Sequence, residues 1–561
     1  MKTQEDFRIE ALVDFVDDAS SAEEPIGEAH IDSMMQRLVE CGVRRVSWSY
    51  YGDGHGGYFF PAPGFEGTGK RGWTLAETYQ RLGNPLRVAV EAARRHGLEI
   101  YAYFKPYETG IASVYPEGSP EAQRWGRLAH IGGRLSWLDR FVVDRPDLRI
   151  RRKTDDLPPD ILARPVHAIR LVKQDDSPTR INREHLQLWA SPLNYRYQQL
   201  PFDFEVHETV EPSPKEVRDH AGNVLTCNGD PVRVLTLSGF ELNDPYLAVL
   251  TDFTEGPADF MNAGTDLSVA LDSDGREIPG VTATGGAIWY RDQVDLYKWG
   301  LMFDYGWGRQ PVTLDNPATP GERRTSGFVA FARGRNAYLP GALCETEPEV
   351  QEYWLSCVGE MLDAGVDGID FREENHSTHT DYPEDYGYNP AVLAGCESRG
   401  TDDIAQVRGD AYTDFLRRAN ALIRSAGRQM RYNLQIDWFR PDPSVVRAAA
   451  YPLNIDFQWQ RWIDDGLMDE AILRFYHFPF ECLYEDSVAL EMIERCQAKG
   501  IPMTVNRYIR AETLADEFRR IERDERFSGF ILYETNTFMR AQRKDSFEIT
   551  MPEVQSLKKT D

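Results

Sequence analysis

At 561 residues, with 41% hydrophobic and 12% aromatic side chains, the chain is long enough for about two to four domains and apolar enough to fold. Ninety acidic against 63 basic residues give a formal net charge of -27, which repels phosphate backbones and anionic headgroups and so argues against nucleic acid and membrane as partners. Seven cysteines without a CxxC pair read as reduced thiols, and neither a leader-like N-terminus nor a bilayer-length apolar run is seen; the expected location is cytoplasmic, or secreted or periplasmic if a leader has been trimmed.

Short apolar strands then alternate with amphipathic helices. Phe7–Val16 reads as strand one, Ile31–Cys41 as a helix stopped by Gly42, "VRRVSWSYYGDG" as strand two, Pro85–His96 as a helix, and "LEIYAYFKPYE" as strand three. The basic run Arg140–Lys153 reads as a solvated connection. From Arg164 to about Tyr290 the helical period gives way to runs such as "VHAIRLVK" and "VRVLTLSG" between Gly, Pro, Asn and Asp clusters, the pattern of an antiparallel all-β module.

Beyond Pro340 the rhythm resumes with a helix at Glu347–Ala364, then "GVDGIDFREENHS" as strand four, then a helix at Ala405–Ala426. Gln429–Phe439 is strand five and Asp469–Phe478 strand six; after a helix at Ser487–Lys499 comes strand seven, "IPMTVNRYI", and after one at Thr513–Arg523 strand eight, "GFILYETNTF". Eight such units predict a (β/α)8 TIM barrel with a sandwich-like all-β domain inserted after strand three. The expected divisions are 1–155 for the first barrel part, 156–315 for the insert and its connection, and 316–561 for the second barrel part.

Barrel active sites lie at the C-terminal strand ends, where strand four turns from apolar residues to "DFREENH". Alternation sends Ile369 and Phe371 towards the helices and Asp370 and Arg372 towards the axis; on strand five it sends Tyr432, Leu434 and Ile436 outward and Asn433, Gln435 and Asp437 inward. Asp370, Asp437 and Glu534 are the candidate catalytic carboxylates. Lys105, Arg372, Glu374, His376, Asn433, His477, Asn506 and Arg507, with the flat rings of Trp48, Tyr50, Trp438 and Tyr476, are the candidate substrate contacts. Carboxylates among aromatic rings suit a sugar, whose C–H faces stack on rings and whose glycosidic bond needs an acid and a nucleophile or base. Asp370 and Arg372 also fit a buried structural ion pair, Asp437 also fits a cap before Pro441, and one of Glu373 and Glu374 fits a loop anchor. His376, His379 and Asp381 match no zinc spacing, so no metal is expected, and without a P-loop, dinucleotide fingerprint or GxSxG elbow no cofactor is expected either.

"YLPGALCETEPEVQEYWLSCVGEMLDAGVDGIDFREENHS" and "RWIDDGLMDEAILRFY" resemble the approaches to strands four and six in glycosyl-hydrolase-like barrels related to the alpha-amylase superfamily, a likeness covering roughly residues 1–155 and 320–540. The resemblance implies a carbohydrate-active enzyme. It departs from the family pattern where Asp370 and Arg372 stand in exchanged order, where Asp437 replaces a Glu and where Asn506 replaces an Asp.

The reading is thus a glycosidase acting on an oligosaccharide or glycoside, with Arg372 keeping Asp370 ionised and Asp437 or Glu534 as the acid. A metal-dependent hydrolase, lyase or isomerase with Lys105, His376 or His477 as base stays open, as do a non-catalytic carbohydrate-binding protein and a homo-oligomer.

Overall fold

The structure, a computed structural model, describes residues 7–15, 18–19, 22, 24–50, 77–114, 130–155, 158, 160–192, 197–218, 224–251, 267–288, 301–302, 326–333, 337–373, 375, 377, 383–436, 452, 454–475, 479–508, 513–533 and 535. Eight parallel strands close into a barrel: β1 (Arg8–Val13), β2 (Arg45–Ser49), β3 (Glu99–Phe104), β4 (Gly368–Phe371), β5 (Gln429–Gln435), β6 (Glu470–Arg474), β7 (Met503–Tyr508) and β8 (Gly529–Tyr533). Pairing of Arg8 with Gly529 closes the ring between β1 and β8, and pairing of Gly368 with Tyr101 joins β4 to β3 across the insert.

Helices α1 (Glu28–Glu40), α2 (Pro85–Arg95), α3 (Pro348–Ala364), α4 (Ile404–Ser425), α5 (Ser487–Lys499) and α6 (Leu514–Arg523) cover the outside. Their ends follow local chemistry. The Asn84, Asp403 and Asp486 side chains accept hydrogen bonds from the first-turn N–H groups of α2, α4 and α5. Gly365 and Gly500 end α3 and α5 in the left-handed region, at φ 92° and 67°, which a glycine enters without steric cost. Outward strand residues, among them Val46, Ile100, Ile369, Phe371, Tyr432, Leu434, Leu473, Val505 and Phe530, share one apolar core with the buried faces of these helices.

Between β3 and β4 the chain builds antiparallel sheets. A four-stranded sheet takes Glu205–Pro212, Pro231–Leu242, Val166–Val172 and Val269–Leu271, and a five-stranded one takes Val281–Ile288, Ser326–Arg333, Tyr246–Thr251, Leu186–Ser191 and Gln198–Gln199. One apolar cluster draws Val166, Ile169, Leu171, Leu235 and Leu237 from the first and Leu188, Leu247, Val249, Val329 and Phe331 from the second, so the sheets bury a common interface distinct from the barrel core. Because Ser326–Arg333 pairs with Tyr246–Thr251, the inserted sheets run past residue 315.

The chain enters and leaves this region side by side: Arg149–Arg151 pairs antiparallel with Tyr338–Leu343 as a two-stranded stalk. The basic run expected as a solvated connection is a short helix at Arg140–Asp144, a single turn at Pro146–Leu148 and this stalk strand, with Arg149 and Arg152 each only 2% exposed. Arg152 reaches the Asp385 carboxylate at 2.9 Å, and a buried guanidinium needs such a partner.

Candidate active site at the strand ends

Following the inward positions of β1, β3 and β6 from N- to C-terminal end gives Glu10, Leu12 and Asp14; Tyr101, Tyr103 and Lys105; and Glu470, Ile472 and Arg474. Charge fills the floor, an apolar belt the middle, and charge returns at the mouth. The belt is a cluster of Leu12, Tyr103, Ile472, Ile531 and Tyr533, apart from the helix-facing core.

The floor is a connected ion network. Arg431 donates to Glu10 at 2.7 Å and lies 3.2 Å from Asp370 and 3.7 Å from Glu470. Arg45 donates to Glu470 at 2.9 Å and Glu10 at 3.4 Å, and Arg8 adds 2.9 Å to Glu470. The Ser47 hydroxyl donates to Asp370 at 2.6 Å and the Thr504 hydroxyl to Glu470 at 2.5 Å. Arg431, Arg45 and Arg8 overcome the burial of Glu470 and hold its carboxyl down at about 2. Burial wins at Asp370, pushed up to about 6 despite Arg431 and Ser47.

This corrects the pairing expected on strand four: Asp370 faces Arg431, and its pKa is raised. Arg372, one inward position further on, donates instead to the Tyr103 hydroxyl at 2.5 Å and the Tyr533 hydroxyl at 2.9 Å. Two inward positions on a strand point the same way but differ by roughly 7 Å in height, enough to put one in the floor and the other at the mouth.

At the mouth, Lys105 lies 3.4 Å from Glu108, and burial lowers the pKa of its amine against the pull of Glu108. Arg474 lies over the Tyr533 ring, 4.4 Å from its centre. Asn433 donates to the Phe371 carbonyl at 3.0 Å, leaving its own oxygen buried without a hydrogen-bond partner among the described residues. Gln435 and Asn506 complete the ring on β5 and β7.

Three expected contacts face the other way. Trp48 and Tyr50 alternate with Ser47 and Ser49 and so turn to the helix layer, where Trp48 stacks on Phe15 at 4.8 Å and Tyr50 donates to Glu360 of α3. Arg507 alternates with Thr504 and Asn506 in the same sense as Val505; it reaches Glu517 of α6 through two 3.1 Å bonds and lies over Phe475. Glu373 also points outward, accepting from the hydroxyls of Tyr412, at 2.8 Å, and Tyr432; burial pushes it up to about 8, so it stays protonated at neutral pH. Glu374, His376, His379, Asp381, Asp437, Trp438, Tyr476, His477 and Glu534 lie outside the described residues.

Of the residues not singled out from sequence, Arg431 was reachable by carrying the alternation rule two residues back along strand five, and Glu10, Asp14, Arg45, Glu470 and Arg474 by applying it to the remaining strands. Glu108 lies past the end of β3, out of step with Tyr101, Tyr103 and Lys105, and carried no such signal. Among the described residues no group of three or more His, Cys, Asp or Glu side chains could hold a metal ion, and no helix is long and apolar enough to cross a membrane.

No family model matches the chain, and no curated protein matches it. Among solved structures, the catalytic domain of β-amylase from Paenibacillus polymyxa aligns over 95% of this chain and 93% of its own, at 8% identity and a TM-score of 0.32. Isomaltulose synthase from Klebsiella sp. LX3 aligns over 99% and 70%, at 8% identity and a TM-score of 0.31. Likeness at that level carries no argument about function.

Proposed function

We propose that the protein is a glycosidase-like enzyme whose site is the C-terminal mouth of the barrel. The observation that supports this reading is the asymmetry of the interior: the floor carboxylates are engaged by arginines and hydroxyls, while the mouth gathers buried amides, cations and phenols above the apolar belt. A sugar asks for donors and acceptors in close alternation, which carboxamides and tyrosine hydroxyls supply together. Asp370 belongs to the floor in this reading, so the reacting pair is assigned to Asp437, which follows β5, and Glu534, which follows β8, one as acid and the other as nucleophile or base.

The test is product detection across a broad glycoside panel with the wild-type protein and the isosteric variants Asp437→Asn and Glu534→Gln. Each substitution should cut turnover by at least about 100-fold with the fold retained. Near-normal turnover in either folded variant removes that residue from the pair. Sugar binding without turnover in the wild type would make the protein a carbohydrate-binding barrel instead.

A further inference from the structure

Asn433, Gln435 and Asn506 stand towards the C-terminal ends of β5 and β7, with Gln435 in register with Arg474 of β6 and Arg474 in register with Asn506. Their chain neighbours Tyr432, Leu434, Ile436 and Val505 pack in the helix-facing core, so alternation turns all three amides towards the lumen. They are 3%, 2% and 1% exposed. The Asn433 Nδ2 donates to the Phe371 carbonyl at 3.0 Å, which fixes the orientation of that side chain and leaves its Oδ1 an unmet acceptor. Both amide atoms of Gln435 and the Asn506 Nδ2 are likewise buried without a hydrogen-bond partner among the described residues, a cost natural structures rarely leave uncompensated. The cations of the same mouth have partners inside the protein: Arg372 donates to Tyr103 and Tyr533, Arg474 lies over the Tyr533 ring, and Lys105 has Glu108.

We infer that Asn433, Gln435 and Asn506 form a specificity-determining subsite for an uncharged sugar unit of the substrate, with Gln435 reading a pair of hydroxyls on adjacent carbons. The unmet atoms are balanced: the oxygens of Asn433 and Gln435 can only accept, and the nitrogens of Gln435 and Asn506 can only donate. A carboxylate or phosphate would satisfy the nitrogens but set its own oxygens against those of the amides, and an ammonium would do the reverse. A hydroxyl both donates and accepts, and two on neighbouring carbons meet the two ends of one carboxamide together. Strand spacing sets the Gln435 and Asn506 backbones about 10 Å apart and Asn433 roughly 7 Å below Gln435, so one sugar ring is met from two heights and from two strands. The inference rests on reading the mouth as the sugar site, but its test has readouts other than turnover.

Calorimetric titration of the full-length protein with cello-, malto-, xylo- and galacto-oligosaccharides should find a neutral ligand whose affinity is insensitive to salt. A monodeoxy analogue of that ligand should bind about tenfold or more weakly, and Gln435→Met should weaken the parent sugar by a similar factor; the two losses should not add, because each removes the same contact. Without ligand, Gln435→Met and Asn506→Leu, of similar shape to the residues they replace, should leave the thermal midpoint unchanged or raised, since they remove buried polar atoms that have no partner. A midpoint lowered in both shows amides held by a permanent water and overturns the assignment. Additive losses overturn it too, as does an oligouronide that binds as tightly as its neutral counterpart; no binding of any neutral probe makes the amides a water site only. If Gln435→Met fails to fold, Asn506→Leu carries both tests, and full affinity there refutes the subsite. Amide-dependent binding without hydrolysis would keep the subsite and sink the glycosidase; hydrolysis of neutral glycosides indifferent to Gln435→Met would do the reverse.

Discussion

Asp370 shows how far a single position can be read from sequence. Alternation gave its direction, but the distance along the barrel axis that separates it from Arg372 decided its chemistry. With Ser47 and Arg431 as its partners, it is expected to serve stability first. Asp370→Asn should cost about 1–3 kcal/mol in urea unfolding, the penalty for weakening a buried polar contact, since Arg431 keeps Glu10 and Glu470. An unchanged unfolding midpoint with turnover abolished would return Asp370 to the reaction. Trp48, Tyr50 and Arg507 were expected at the mouth because of their chemistry, and the parity of β2 and β7 turned them away.

Raised carboxyls set the expected pH response. Burial lifts Asp370 to about 6, Asp139 to about 7 and Glu373 to about 8. Each binds its proton more tightly folded than unfolded, so each contributes stability fully below its unfolded pKa and loses it as pH rises through the folded value. Glu470, held near 2, does the opposite and loses its contribution only as pH falls from about 4.5 towards 2. Thermal midpoints should therefore fall between pH 5 and pH 8. From 7 to 8 both Glu373 and the upper half of the Asp139 titration contribute, each at no more than about 1.4 kcal/mol per pH unit for one proton. Glu373→Gln, which can still accept from Tyr412 and Tyr432, should make that last segment shallower and leave the Asp139 share; an unchanged slope would assign it to Asp139 or another group.

At the level of elements, the alternation of strands and helices was legible because each barrel strand is short and outwardly apolar and each of α1 to α5 has a capping residue or a glycine stop. The stalk was not, because three residues between arginines look like a polar linker until a distant segment pairs with them. β4 depends on close approach as well. A methyl group on Gly368 would sit 2.1 Å from the Tyr101 ring and 2.7 Å from the Gln429 carbonyl oxygen. Gly368→Ala should thus force β3 and β5 apart and cost about 1–3 kcal/mol or more, read as a lowered unfolding midpoint; a neutral result would mean the Tyr101 ring swings aside freely.

For the molecule as a whole, the separate apolar clusters of barrel and insert predict that the two can be parted if the cut respects the sheets. Replacing residues 154–336 by a short turn should yield a soluble barrel, since the stalk bonds from Arg152 N to the Ala337 oxygen and from Cys344 N to the Leu148 oxygen remain. Removing only Arg164–Tyr290 strands Ser326–Arg333 without its partners Tyr246–Thr251 and Val281–Ile288, and should aggregate. Size-exclusion chromatography of both proteins distinguishes these outcomes.

That detour between β3 and β4 also has a consequence in time. The Ile100 N–H meets the Asp367 carboxylate across 267 positions of chain, and β1 waits longer still for β8. At ribosomal rates, 267 residues take on the order of 10–50 s. Throughout that interval the nascent β1–β3 sheet has neither of its final edge partners, while the four- and five-stranded sheets of the insert, whose strands all lie between the stalk strands, can complete their own pairing first. The order of synthesis thus favours an inner module that matures before the outer one closes, and it makes the three waiting strands the natural client of a chaperone.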